Sequence, residues 1–260
     1  MILSQHNPRI KLIRALSGKS KERRESGAFL AEGVRLIEDA LAAEWPFLYV
    51  LYSAEISNRG KKLVEEIAKT GMDVEEVGAD ILRSACETES SQGVVAVLKL
   101  PDITDNSAEL LNFVLIPDQI RDPGNLGTLI RSAAAAGAQA VFIPPETTDP
   151  FAPKVVRAGM GAHFRIPIRR LGWDEIRDGL TGLSVYVAGA EGHTSCWSAN
   201  FRQPLALIVG GEANGASQSA RSLANYVVNI PMPGKIESLN AGVAGAVLMF
   251  EVVRQRNEAS

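Results

Sequence analysis

Three stretches from residue 122 onward join glycine turns to side chains that could do chemistry: DPGNLGTLIRSAAAAG at residues 122–137, VGGEANGAS at 209–217 and IPMPGKIESLNAGVAGA at 230–246. They contribute an amide and a guanidinium (Asn125, Arg131), a carboxylate (Glu212), and a hydroxyl with a second amide (Ser238, Asn240), but no cysteine or histidine. Asn125 and Arg131 lie six residues apart around a helix start, where free N–H groups and the positive dipole end favour a phosphate. A guanidinium almost never gives up its proton, so Arg131 suits holding an anion better than acting as a base. Each polar residue also has a plainer reading. Asn125, Ser238 and Asn240 could be helix caps, and Glu212 a turn carboxylate.

The elements that must position these residues alternate. Apolar runs at 113–116, 140–143, 184–188, 205–209 and 226–230 read as strands, with helices at 126–136 and after residue 238 and a further short element at 155–160. The near-continuous apolar run LALIVG points to a parallel sheet covered on both faces. Pro231, Pro233 and Gly234 form a rigid connection that cannot extend a ladder, and Ser238 then offers a hydroxyl to the next helix. That helix has a small face (Ala241, Gly242, Ala244, Gly245, Ala246) that lets a backbone or a flat ligand approach closely. Its apolar Leu248, Met249 and Phe250 suggest a surface for a second copy of the chain.

The first hundred residues form a smaller α/β pattern. Residues 7–25 read as helical, with Asn7 as cap and Pro8 in the first turn; strands follow at 29–31, 47–52 and 93–100, and helices at 34–43 and 61–69. The polar, proline-containing stretch 101–107 reads as a linker, which sets the expected domains at 1–105 and 106–260.

A net charge of −3 over 260 residues excludes whole-surface attraction to nucleic acid, so any such contact must be local. Arg9, Lys11, Arg14, Lys19, Lys21, Arg23 and Arg24 crowd the N-terminus, either as an RNA contact or as a solvated helix face. Cys86 and Cys196 have no metal or redox spacing and read as reduced thiols; His6, His163 and His193 are scattered, so no metal site is expected. No window approaches a membrane span and the N-terminus lacks a signal-like apolar region, so a cytoplasmic protein is expected. Gly159 and Gly161, like Gly210 and Gly211, miss the G-x-G-x-x-G spacing, which argues against a nicotinamide enzyme or an ordinary Rossmann methyltransferase.

Taken together, the three blocks resemble the SpoU (TrmH) family of RNA 2′-O-ribose methyltransferases in order, spacing and internal residues. One departure is Ala241-Gly242, where the family more often has a β-branched or serine pair. Residues 29–33 (FLAEG) and 91–97 (SQGVVAV) resemble the family's N-terminal substrate-binding domain, a ribosomal-protein-like RNA-binding fold, which brings Glu32 into the RNA-binding set with Arg9, Lys19, Lys21, Arg23 and Arg24. The resemblance implies a C-terminal parallel-sheet domain with a trefoil knot, and S-adenosyl-L-methionine bound at Gly210, Gly211, Ile230, Met232 and Leu239 without metal. It implies catalytic roles for Arg131, Asn125, Glu212, Ser238 and Asn240, with proton removal open between Arg131, Glu212 and an RNA phosphate. It further implies a homodimer in which one subunit's arginine lies near the other's cofactor. Ribosomal RNA is the expected substrate; transfer RNA, or a catalytically silent RNA-binding role in ribosome assembly, are the alternatives.

Overall fold

The computed structural model of the chain describes residues 1–86, 92–101, 111–234, 236 and 238–258. The expected linker and domain boundary fall almost wholly outside them. The chain forms two compact units, one of Met1–Asp102 with Phe151–Phe164, the other of Ile103–Pro150 with Arg165–Ser260.

In the first unit, α1 (Pro8–Gly18) and α2 (Ser20–Ser26) precede β1 (Ala28–Glu32), α3 (Val34–Ala42), β2 (Phe47–Tyr52), α4 (Asn58–Lys69), β3 (Val74–Glu76), α5 (Ala79–Ala85) and β4 (Val94–Lys99). Asn7 caps α1 by accepting the Arg9 N–H, and Pro8 takes the first turn. The helical stretch at 7–25 is interrupted at Gly18, as its sequence suggests: α1 ends there, Lys19 is extended (φ −121°, ψ 125°), and α2 follows. The sheet runs β1-β4-β2-β3, with only β2 and β3 parallel. Ile10, Ile13 and Leu16, on one face of α1, are buried with Leu30, Leu51 and Val97. On the opposite face of β1, Phe29 packs against Phe151 and Phe164, which flank the unit's last α-helix, Pro153–Gly159 (α7).

The second unit is wound from β5 (Phe113–Asp118), α6 (Pro123–Ala135), β6 (Ala140–Ile143), β7 (Ile168–Arg170), α8 (Trp173–Gly179), β8 (Ser184–Ala188), β9 (Thr194–Ser195), β10 (Leu205–Gly210), α9 (Gln218–Leu223), β11 (Tyr226–Asn229) and α10 (Ala241–Asn257). Its strands order as β7-β6-β5-β10-β8-β11-β9, all pairs parallel. The apolar run LALIVG is β10, central and buried. The chain winds one way from β5 through β6 to β7 and the other way through the rest, so the switch lies between β5 and β10, where such sheets leave a crevice beyond the strand ends.

The small face of α10 packs inward, against α6 and β10. A Cβ on Gly245 would lie 2.2 Å from Leu129 Cδ2, so glycine is what lets the two helices approach. Leu248 and Met249 are fully buried in the chain's own core, which removes them from the expected partner surface and leaves Phe250, half exposed, from that trio. The helix begins later than expected, at Ala241, and its cap is Asn240 rather than Ser238.

Candidate active site

The carboxyl ends of β5 and β10 lie side by side, with Asp118 opposite Gly210, and the loops leaving them carry the polar residues. After β5 the chain turns into α6. Asp122 caps this helix by accepting the Asn125 N–H at 2.8 Å, so a side-chain carboxylate already occupies the N-terminus expected to hold a phosphate, and Asn125 is not the cap. The Asn125 side chain is free to work elsewhere, and its Nδ2 donates to Glu212 Oε1.

Glu212 stands on a closed turn, in which the Gly215 N–H returns to the Gly211 carbonyl at 3.0 Å. Farther on, the Ser217 N–H donates to Asp118 Oδ2 at 2.6 Å, tying the loop back to β5. The third corner is Asn240. Its Oδ1 accepts the Val243 N–H at 3.2 Å, the cap of α10, and this leaves its Nδ2 to donate to Asn125 Oδ1 at 2.9 Å and Glu212 Oε1 at 3.1 Å. Two amides thus converge on one carboxylate oxygen. Among the described residues Glu212 Oε2 has no protein partner and keeps its acceptor capacity, so the arrangement can receive a hydroxyl proton at a fixed place.

Beside this triad is a cavity of about 520 Å³, lined among others by Gly210, Gly211, Glu212, Ile230, Met232, Ser238, Leu239 and Asn240. Residues from the second and third sequence blocks meet there, and the first block reaches them through Asn125, whose side chain donates to Glu212. Val209, Ile230, Leu239 and Ala244 give it apolar walls. At Gly210 a Cβ would fall 2.3 Å from both Ala216 N and Gly215 C, so the returning backbone closes over this position and only glycine keeps it open. A slot of this size, with apolar walls and backbone edges, suits a nucleoside. Asn125 lines an adjoining recess of about 130 Å³ with Arg121, Asp122, Gly211 and Glu212.

Beneath the loops, Asp118 is fully buried and its Oδ1 has no hydrogen-bond partner among the described residues. Burial pushes its carboxyl above the usual range, against the pull of the Ser217 N–H. Burial likewise raises the Cys86 and Cys196 thiols, to about 12 and about 11, which leaves them protonated and inert near neutral pH.

Residues 112–250 match the model of the SpoU rRNA Methylase family. The chain belongs to that family. Residues 7–96 match the MRM3-like substrate binding domain. The chain is 32% identical to the 23S rRNA (uridine(2479)-2′-O)-methyltransferase of Streptomyces viridochromogenes, over 98% of this chain and 92% of that protein. It is also 32% identical to the 23S rRNA (guanosine(2553)-2′-O)-methyltransferase RlmP of Bacillus subtilis, over 96% and 98%. The structure superposes on the SpoU methyltransferase AviRb from S. viridochromogenes in complex with the cofactor AdoMet with a TM-score of 0.88 at 31% identity, covering 97% of this chain and 99% of that one.

Within one SpoU chain, Arg131 stays apart from this constellation. It is exposed, lines neither cavity, and lies about 120° round α6 from Asn125, as six residues of helix dictate. The N-terminal set is divided too. Lys19, Lys21 and Arg24 are exposed. Arg23 is 3% exposed, with its guanidinium turned in to the Leu16 carbonyl, and this burial takes it out of the expected RNA-binding role. Arg9 is committed to Asp73 and to Glu75 at 3.0 Å, and rests 5.0 Å from the Tyr49 ring centroid. Glu32 pairs with Arg157 at 3.4 Å.

Sequence reasoning missed Asp118, Arg121, and the Glu191–Arg221 ion pair that lines the larger cavity. Glu191 follows a strand within AGAEG, the same strand-then-glycine signal that marked Glu212, and could have been found that way. Nothing in the local pattern marks Arg221.

Proposed function

We propose that this SpoU-family protein transfers a methyl group from S-adenosyl-L-methionine to a ribose 2′-hydroxyl of RNA, with ribosomal RNA as the substrate. The observation that carries the reading is the convergence of Asn125, Glu212 and Asn240 at the mouth of a cavity that only a glycine at 210 keeps open. Gly210, Gly211, Ile230, Met232 and Leu239 would hold the cofactor, the apolar side chains offering surface for its base and the glycines room for close approach. When bound, S-adenosylmethionine supplies an electrophilic methyl on a sulfonium with a neutral thioether as leaving group.

The chain's own residues then have distinct tasks. Asn125 and Asn240 fix the Glu212 carboxylate, and Glu212 Oε2 accepts the hydroxyl proton as the ribose oxygen becomes acidic during C–O bond formation. A weak base suffices, because that oxygen is far more acidic after the bond forms than before. Holding the hydroxyl in line supplies most of the acceleration. Arg131 serves the RNA phosphate, and does so from a second copy of the chain. Its exposure and its distance round α6 from Asn125 support that, as does the exposed stripe of Val243 and Phe250, seven residues apart on one face of α10.

The test is transfer of label from tritiated S-adenosylmethionine to purified ribosomal RNA, followed by alkaline digestion. A 2′-O-methyl removes the hydroxyl that alkali needs for cleavage, so label should appear in alkali-resistant dinucleotides. Label in mononucleotides would mean base methylation and overturn the reading. No label would favour the silent RNA-binding alternative.

A further inference from the structure

The first unit contains a second cavity, of about 570 Å³, lined by Val34, Arg35, Ser53, Glu55, Ser57, Arg59, Ala79, Arg83, Gln92 and Gly93. It opens where the carboxyl ends of β1 and β2 meet the start of β4. Its charged lining is three arginines against one carboxylate, in a chain whose net charge is −3. We infer that this cavity receives a backbone phosphate of the RNA substrate, gripped by Arg35, Arg59 and Arg83.

Arg35 carries the argument furthest. It is exposed on the first turn of α3, and none of its five N–H donors is taken up by a described residue. Arg59 is held by Glu38, and Arg83 by Glu55 at 2.8 Å and Asp80 at 2.6 Å. These pairs are exposed, so exchanging a carboxylate for a phosphate costs them little, and meanwhile they keep both guanidinium groups at the rim. The rest of the lining adds donors. Gln92 Oε1 accepts the Val34 N–H at 2.9 Å, which leaves its NH₂ group as two donors without a protein partner among the described residues. Ser53 and Ser57 add hydroxyls. Arg35 and Gln92 also line a neighbouring recess of about 290 Å³ with Glu32 and Gly33, so the FLAEG turn borders the same surface. This surface offers an RNA contact in place of Arg9 and Arg23, which the fold has used internally.

The inference rests on RNA being the substrate, and the experiment separates the two. The affinity of the full-length protein for purified ribosomal RNA is measured by filter binding from about 50 to 200 mM salt, for wild type, Arg35→Gln, Arg83→Gln and Glu55→Gln. Methyl transfer, S-adenosylmethionine affinity and melting temperature are followed in parallel. Each lost phosphate contact should flatten the log–log salt slope by about 0.7–0.9, so the two arginine variants should bind more weakly and less steeply. Glu55→Gln should bind more tightly, because it removes the lining's one carboxylate and leaves Arg83 paired with Asp80 alone. A damaged fold cannot produce that gain. Cofactor affinity should not move. Arg35→Gln with a wild-type slope, or Glu55→Gln without tighter binding, overturns the inference while leaving the methyltransferase reading intact. RNA binding with these shifts but no methyl transfer would sink that reading and keep the cavity. Inorganic phosphate bound at this cavity, with RNA affinity unmoved by all three substitutions, would make it a free-anion site and overturn its assignment to RNA.

Discussion

Replacing Gly210 with alanine tests how the cavity is built. The added Cβ would lie 2.3 Å from Ala216 N and Gly215 C, and 2.7 Å from Gly215 O. All three are backbone atoms, so no side-chain rotation relieves the clash. Ordinary contact begins near 3.4 Å, so the segment from Gly211 to Ala216 must retreat by roughly 1 Å. That segment carries Glu212 and is tied at its far end, where the Ser217 N–H holds Asp118. Overpacking of this kind costs about 1–3 kcal/mol. The clash lies within the chain, so the cost appears in the melting temperature of the free protein; where the cofactor needs the loop in its original place, it appears as a Kd raised about 5- to 150-fold. Calorimetric titration with S-adenosylmethionine and a thermal melt together catch both cases. Gly234→Ala is the control, because nothing lies within 4 Å of its Cβ position. Wild-type Kd and melting temperature in Gly210→Ala would refute the account of this cavity.

Asn240→Asp keeps an oxygen to cap α10 but replaces the two donated hydrogen bonds with a carboxylate facing Glu212. Losing hydrogen bonds to a charged group costs about 1.5–3 kcal/mol, so single-turnover transfer should fall about 10- to 150-fold with the melting temperature nearly kept; unchanged transfer would dismiss the triad. Arg131→Ala should abolish transfer and spare cofactor affinity, and Lys should rescue it weakly if planar bidentate contact matters. Mixing Arg131→Ala protein with a Gly210-disabled variant should restore some activity if sites are shared between copies, and light scattering should give a dimer mass. Asp118 provides a pH test. Burial raises its folded-state pKa, so its charge costs stability, and that cost grows as pH rises from the unfolded value near 3.9 through the folded one. Asp118→Asn should therefore melt higher than wild type at pH 7, with the advantage vanishing near pH 4. A deficit equal at every pH would contradict it.

What the sequence made legible follows from how each feature is encoded. β10 was readable because a central parallel strand is covered on both faces, so its apolar run is continuous. The α1 cap was readable because Asn7-Pro8 is a local signal. β3, β7 and β9, of two or three residues each, are too short to express any period, and were missed. The burial of Leu248 and Met249 depends on which face of α10 meets the sheet, and a helix apolar on several faces does not announce that. The same limit explains the arginines. Arg9, Arg23, Arg24 and Arg35 look alike as letters, and only the fold decides that two of them serve Asp73 and the Leu16 carbonyl while Arg35 stays open.

The candidate site shows why the glycine turns were better guides than the polar residues beside them. A polar residue beside a turn has several local uses, and here Asp122, Asn240 and Ser217 all do serve as caps. Capping and site-building do not exclude each other. Asn240 does both because an amide has two ends: committing its oxygen to Val243 settles which way round the group lies, and so points its donors at Glu212. A serine or aspartate cap would hold the helix equally well but would bring no donors in that fixed direction. The helix cap is therefore the device that orients the carboxylate, and it is why an asparagine, rather than any good cap, is needed where the last block turns into α10.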